Sequence, residues 1–239
     1  MQVPASTHRN GAGEDRWRSA GRVSLTLLAI SLALLMAAVL FYPGGSWADA
    51  DSVGFRPFVN YWCDLMRDEA VNGAPNAASA VLAKGAFGAL SVSSWAFWRV
   101  VAASLRTPTL ARWAVVAGTL SSVCLALVAV FPYDTLRLSH VITTLCAGAS
   151  GFVASVLIMA GIRLSETTSR WGSVWGGAFM AAALVNIIVY VDIVLGSERG
   201  KILLPMVQHS GTLFMAIWMV YTVRDAGRRG RTAPDREPR

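Results

Sequence analysis

The chain has 239 residues, of which 54% are hydrophobic and 15% charged, and a mean hydropathy of +0.49. A soluble domain of ordinary composition carries about a quarter charged residues, so a soluble enzyme or binding module is excluded as the main body of the chain. The net charge of +7 does not point to nucleic acid, because the basic residues alternate between loops instead of collecting on one segment.

In chain order, residues 1–22 are polar and rich in Gly and Arg, and are expected to be a disordered cytoplasmic tail. Six apolar runs follow, at about Val23–Tyr42, Ala80–Ala103, Trp113–Phe131, His140–Leu164, Ser173–Leu195 and Leu203–Tyr221. Each has the roughly 20 residues that a helix needs to cross a bilayer core. They lack the period-two alternation of transmembrane barrel strands. The expected fold is all-α, a polytopic bundle of six transmembrane helices in residues 23–222, followed by a basic cytoplasmic tail, 223–239. The first run is too long for the apolar core of a signal peptide, despite a small-residue "WADA" at Trp47–Ala50, and is expected to stay as an anchor.

The loops set the threading. With both termini inside, fifteen Lys or Arg fall on the cytoplasmic side and five outside, namely Arg56, Arg67, Arg137, Arg199 and Lys201. Excess Lys and Arg on cytoplasmic loops orients membrane proteins, which predicts an N-in, C-in arrangement. The longest connection, from Pro43 to about Ser79, opens with the turn residues "YPGGS" and continues into "RPFVNYWCDLMRDEAVNG". That stretch is expected to hold a short interfacial helix, begun by Asn60 and ended by Gly73. Of the three cysteines, Cys124 and Cys146 lie inside apolar runs as small packing residues and Cys63 lies outside. Arg outnumbers Lys nineteen to two and Ala is abundant, a bias that suggests a GC-rich bacterial genome and hence a multi-pass protein of a bacterial plasma membrane.

In that topology Asp64, Lys84, Asp134, His140, Asp192 and His209 all reach the outer side within a narrow range of depth. Ionisable residues at membrane depth are costly and face protein interior or water, so the six are the candidate polar cluster. Each also has a purely structural reading: a turn for Asp134, snorkelling for Lys84, an ion pair for Asp192 with Lys84 or Arg199, a solvated helix for Asp64, and carboxylate-bonded bundle histidines for His140 and His209. In the fourth run His140, Thr144, Ala147, Gly148, Gly151 and Ser155 share a helical face whose small residues suit close packing.

"NYWCDLM" (Asn60–Met66), "NGAPN" (Asn72–Asn76) and "FPYD" (Phe131–Asp134) with His140, together with six helices, resemble a bacterial membrane family called domain of unknown function 998. The resemblance covers about residues 23–222 and implies a six-helix integral membrane protein with no established activity. Cys63 stands where that family more often has Ser. A fainter resemblance is to the membrane hydrolases grouped with alkaline ceramidases and adiponectin receptors, which hold zinc through three His. This chain lacks their His-x-x-x-His, and zinc would have to take His140, His209 and one carboxylate, Asp134 being the first choice and Asp64 or Asp192 the others.

Three readings of function follow. The outer cluster is structural or binds a small polar ligand or lipid headgroup; or the chain is a metal-dependent membrane hydrolase acting on a lipid; or it is a transporter or proton-coupled carrier. The charges gather near one face and the central thirds of the helices are apolar, unlike the midplane sites of transporters.

Overall fold

A computed structural model describes residues 9–164, 169–196, 198 and 200–232 of the chain, with side chains between 19 and 227. The parts of the two predicted tails at 1–8 and 233–239 lie outside the described residues. Six helices follow one another: α1 (Arg9–Phe41), α2 (Ala77–Ala103), α3 (Pro108–Val130), α4 (Arg137–Leu164), α5 (Arg170–Val194) and α6 (Gly200–Thr232). All six are long and apolar enough to cross a membrane, and the described residues contain no strand beyond two isolated bridges. The protein is therefore an all-α bundle of membrane-spanning type. Helix α1 begins at Arg9 and α6 runs to Thr232, each reaching into a stretch read from sequence as tail.

Successive helices run antiparallel. The loops 42–76 and 131–136 and the described residues between α5 and α6 therefore meet at one end of the bundle, here the loop end, and the start of α1 and the end of α6 lie at the other. Apolar contact between helices gains little in lipid, where close packing and interhelical hydrogen bonds hold a bundle together, and the serines of this chain supply them. Ser24 and Ser93 exchange hydroxyl-to-carbonyl bonds across α1 and α2 at 3.0 and 2.7 Å, and Ser31 donates to Ala86 O at 2.8 Å. Ser91 bonds α2 to Ser122 O of α3 at 2.6 Å, and Ser121 bonds α3 to Ala147 O of α4 at 2.8 Å. A Cβ at Gly151 would stand 2.7 Å from Ser121 Oγ, so the glycine is what lets α3 and α4 approach. The predicted small face of α4 is largely the buried one: His140, Ala147, Gly151 and Ser155 are buried, while Thr144 and Gly148 are half-buried. Cys124 is buried as expected, but Cys146 is exposed, with its side chain beside Cys124 of α3.

One core fills the middle and terminal part of the bundle, built on Phe97, Trp98, Ile158, Trp218 and Met219. A second, at the loop end, joins α1, α2 and the first loop through Leu35, Leu65, Met66 and Ala83. Neither fills the loop end between α4, α5 and α6. Helices α4 and α5 touch each other much less than the other sequential neighbours joined by short turns.

Candidate functional site

The first loop is a folded cap whose shape is set by buried amides. Asn60 Oδ1 accepts from Arg56 N at 2.9 Å, while its Nδ2 donates to Gly45 O at 2.7 Å and to Asp64 Oδ2 at 3.1 Å. Gly45 has φ +82°, and a Cβ there would collide with the backbone N of Asn72, so the "GG" turn requires its second glycine. Asn76 Nδ2 donates to Leu65 O and Arg67 O at 3.2 and 2.8 Å. Between these anchors Trp62–Met66 forms a single 3-10 turn, shorter than the helix expected up to Gly73, because Asp68–Pro75 is instead closed by backbone bonds such as Asn76 N to Asp68 O. Phe58 sits at φ +65°, a left-handed conformation unusual for a bulky residue, inside the tight turn held by Asn60.

This cap docks on α6 through a defect in the helix. Pro205 has no N–H, so the carbonyl of Lys201 four residues earlier loses its helical donor. The Tyr61 hydroxyl donates to that carbonyl at 2.9 Å. Next to it Trp62 Nε1 donates to Thr212 Oγ1 at 3.1 Å, and the indole covers the His209 ring with 4.0 Å between centroids.

Beneath the cap is a cavity of about 670 Å³, bounded by the first loop, the start of α4, the end of α5 and the start of α6. Its volume falls in the roughly 300–1,000 Å³ range of small-molecule sites. Asp64 and His140 line it from the loop and from α4. Arg67, Arg137 and Lys201 bring positive charge to it, and Trp47, Tyr61, Tyr133 and Tyr190 bring aromatic rings. Leu138, Val141, Ile193, Val194 and Leu204 make it apolar on the helix side. Lys201 pairs with Glu198 at 2.6 Å and lies over the Trp47 ring. Arg137 lies over Tyr133. Among the described residues neither Arg67 nor Arg137 has a carboxylate ion-pair partner.

Asp64 is 3% exposed and accepts from Tyr61 N at 2.9 Å as well as from Asn60. Burial raises its carboxyl to about 6, opposed by the Asn60 and Tyr61 bonds and by Arg67. Burial, with the charge of Asp64, also pushes the Cys63 thiol up to about 12, which removes the thiolate that a nucleophile would need. His140 is buried, and its Nδ1 lies 2.7 Å from Phe131 O. A carbonyl only accepts, so Nδ1 carries the hydrogen and in the neutral ring Nε2 keeps its lone pair.

Of the six residues singled out from sequence, the cavity unites Asp64 and His140. Lys84 pairs with Asp68 at 3.0 Å and does not line the cavity. Asp134 and Asp192 are exposed, and Arg199, one suggested partner of Asp192, lies outside the described residues. His209 is held away from the cavity under Trp62, its Nδ1 2.6 Å from Pro205 O, while its helix neighbour Gln208 lines the cavity instead. Among the described residues no three of His, Cys, Asp and Glu converge on a point that would hold a metal ion. The cavity residues missed from sequence are chiefly Arg67, Arg137, Lys201 and the aromatic rim. A signal for the cations was present: they are three of the five positive charges that the charge rule leaves on this side, where such charges are exceptions.

No protein-family model, curated protein or solved structure matches the chain.

Proposed function

We propose that the protein is a multi-pass protein of a bacterial plasma membrane, threaded N-in and C-in, whose outward-facing cavity binds the anionic group of a small polar molecule or lipid headgroup. The membrane-spanning character rests on the six apolar helices. The binding reading is carried by one observation: Arg67, Arg137 and Lys201, from three separate segments, line one cavity with two carboxylates, Asp64 and the Lys201-paired Glu198, leaving the two guanidiniums in excess within a wall otherwise mostly apolar and aromatic. A guanidinium presents a planar fork of donors that suits phosphate and carboxylate. Arg67 and Arg137, lacking carboxylate partners among the described residues, are the groups an arriving anion would meet. The rings of Trp47, Tyr61 and Tyr133 are of the kind that gathers at membrane–water interfaces. The resemblance of "NYWCDLM" and "FPYD" to the uncharacterised bacterial family accords with this reading, because Asn60 and Asp64 of the first motif build the cap over the cavity.

The test is binding to purified, delipidated protein by calorimetry. Dihexanoyl phosphatidic acid should bind at least 10-fold more tightly than dihexanoyl phosphatidylcholine. Replacing Arg67→Gln together with Arg137→Gln should abolish that preference. Equal binding of the two lipids, or a preference that survives the double substitution, overturns the reading.

A hydrolase is the second reading, favoured by the presence of Asp64 and a tautomer-fixed His140 on one cavity. Asp64, raised toward neutrality, would serve as acid or base. Hydrolysis of the same phosphatidic acid by water to inorganic phosphate and dihexanoylglycerol, lost on His140→Ala, is the outcome that would favour it.

A further inference from the structure

Three features of the cavity bear on where its ligand comes from. The first is depth. Lys201 lies near the start of α6 and Gln208 seven residues further on, and both line the cavity. At 1.5 Å per residue the cavity descends roughly 10 Å along α6. Tyr190 on α5 lines it one turn below the helix end at Val194. A site meant only for a soluble anion has no need of that depth among apolar residues, since an anion gains nothing from leaving water for them.

The second feature is the side on which the wall is thin. Leu138 and Val194 line the cavity, yet they are 73% and 48% exposed, at the loop-end termini of α4 and α5. They stand on α4 and α5, which pack least closely among helices consecutive in the chain. The same side chains thus border the cavity and the surface that would meet lipid. The third feature is how charge is layered. Arg137 opens α4, Lys201 is the second residue of α6 and Arg67 follows the 3-10 turn. The cations therefore stand at the loop end, while Val141, Ile193 and Leu204 line the wall from the helices below.

From this arrangement we infer that the ligand is an anionic phospholipid of the surrounding leaflet, which enters sideways between α4 and α5. Its phosphate sits at Arg67 and Arg137, and its acyl chains leave through the gap bordered by Leu138 and Val194. Charge complementarity selects the phosphate, and the open flank spares the chains from leaving the bilayer. This inference rests on the anion-binding reading above and adds the class of ligand and its route.

The test uses the full chain in lipid nanodiscs doped with phosphatidic acid carrying a diazirine on one acyl chain. After irradiation, adducts are located by mass spectrometry. Adducts are expected on Leu138, Val141, Ile193 or Val194, at least 10-fold above those on Leu120 or Leu184, which are 53% and 45% exposed and do not line the cavity. They should fall to that background with Arg67→Gln and Arg137→Gln together. Val141→Trp should close the gap and lower the adducts at least 10-fold. Val194→Trp, at an exposed helix end where bulk is tolerated, serves if the first variant fails to fold. Background-level adducts at the gap, with the phosphatidic acid preference still present in calorimetry, would overturn the sideways lipid route and leave a small soluble anion as the ligand. Loss of that preference as well would overturn both proposals.

Discussion

Asp64 shows how one residue couples the cap to pH. Its carboxylate has two donors, Asn60 Nδ2 and Tyr61 N, but burial outweighs them and lifts it to about 6, against roughly 3.9 in an unfolded chain. Between those values the folded protein holds the proton more firmly than the unfolded one. Stability from this group is therefore full below about pH 4, falls as pH rises toward about 6, and is then level. The shift of about two units corresponds to ~3 kcal/mol. Asp64→Asn keeps an acceptor for both donors and removes the titration. The melting temperature of the variant minus that of the wild type, measured in detergent, should rise between about pH 4 and pH 6. A difference that stays flat over that range would refute the buried carboxyl. Anion binding should strengthen over the same interval as pH falls, because the neutral acid no longer repels the ligand.

Helix α6 illustrates how a defect in an element becomes a joint. Pro205 frees the Lys201 carbonyl, and Tyr61 satisfies it from another segment. In lipid an unsatisfied backbone group is expensive, so the hydroxyl and the proline should be energetically coupled. Tyr61→Phe alone should cost about 1–2 kcal/mol, the usual penalty for a buried acceptor left without a donor. In a Pro205→Ala background the new N–H can bond Lys201 O, and the same Tyr61→Phe change should cost much less. Denaturation of the four proteins of this cycle in mixed detergent checks it, and additive costs would show that the two groups act independently. The docking has a functional side, since Tyr61 also lines the cavity and a loosened cap would widen it.

At the scale of the molecule the prediction concerns threading. The fifteen-to-five split of Lys and Arg predicts, by the charge rule, that the cap and cavity face outward. Cys63 is a poor reporter, being half-buried with its thiol pushed up to about 12. Exposed positions at each end are better: Asp51 in the cap and Thr109 at the opposite end of the bundle. In a background carrying Cys63→Ser, Cys124→Ala and Cys146→Ala, Asp51→Cys should react with a membrane-impermeant maleimide in intact spheroplasts. Thr109→Cys should react only after permeabilisation. The reverse pattern would invert the protein and turn its cavity to the cytoplasm.

Sequence alone determined the six helices, because an apolar run of bilayer length leaves the backbone no option but to satisfy itself as a helix. It also placed His140 on a buried face of α4, since small residues at helical spacing mark the side that neighbours approach. It located Asp64 in the right loop and drew attention to the loop end as the polar one. Common depth is all that a one-dimensional reading can give, however. Angular position around the bundle decided which residues meet. Asp134 and Asp192 share the level of the cavity and remain exposed, and Lys84 meets Asp68 instead. His209 lies one residue from the cavity-lining Gln208, but a step of about 100° around α6 turns it under Trp62. The cations escaped notice for the converse reason. Arg67, Arg137 and Lys201 look like ordinary loop charges until the fold of the cap, held by Asn60, Asn76 and Tyr61, brings three distant segments around one space.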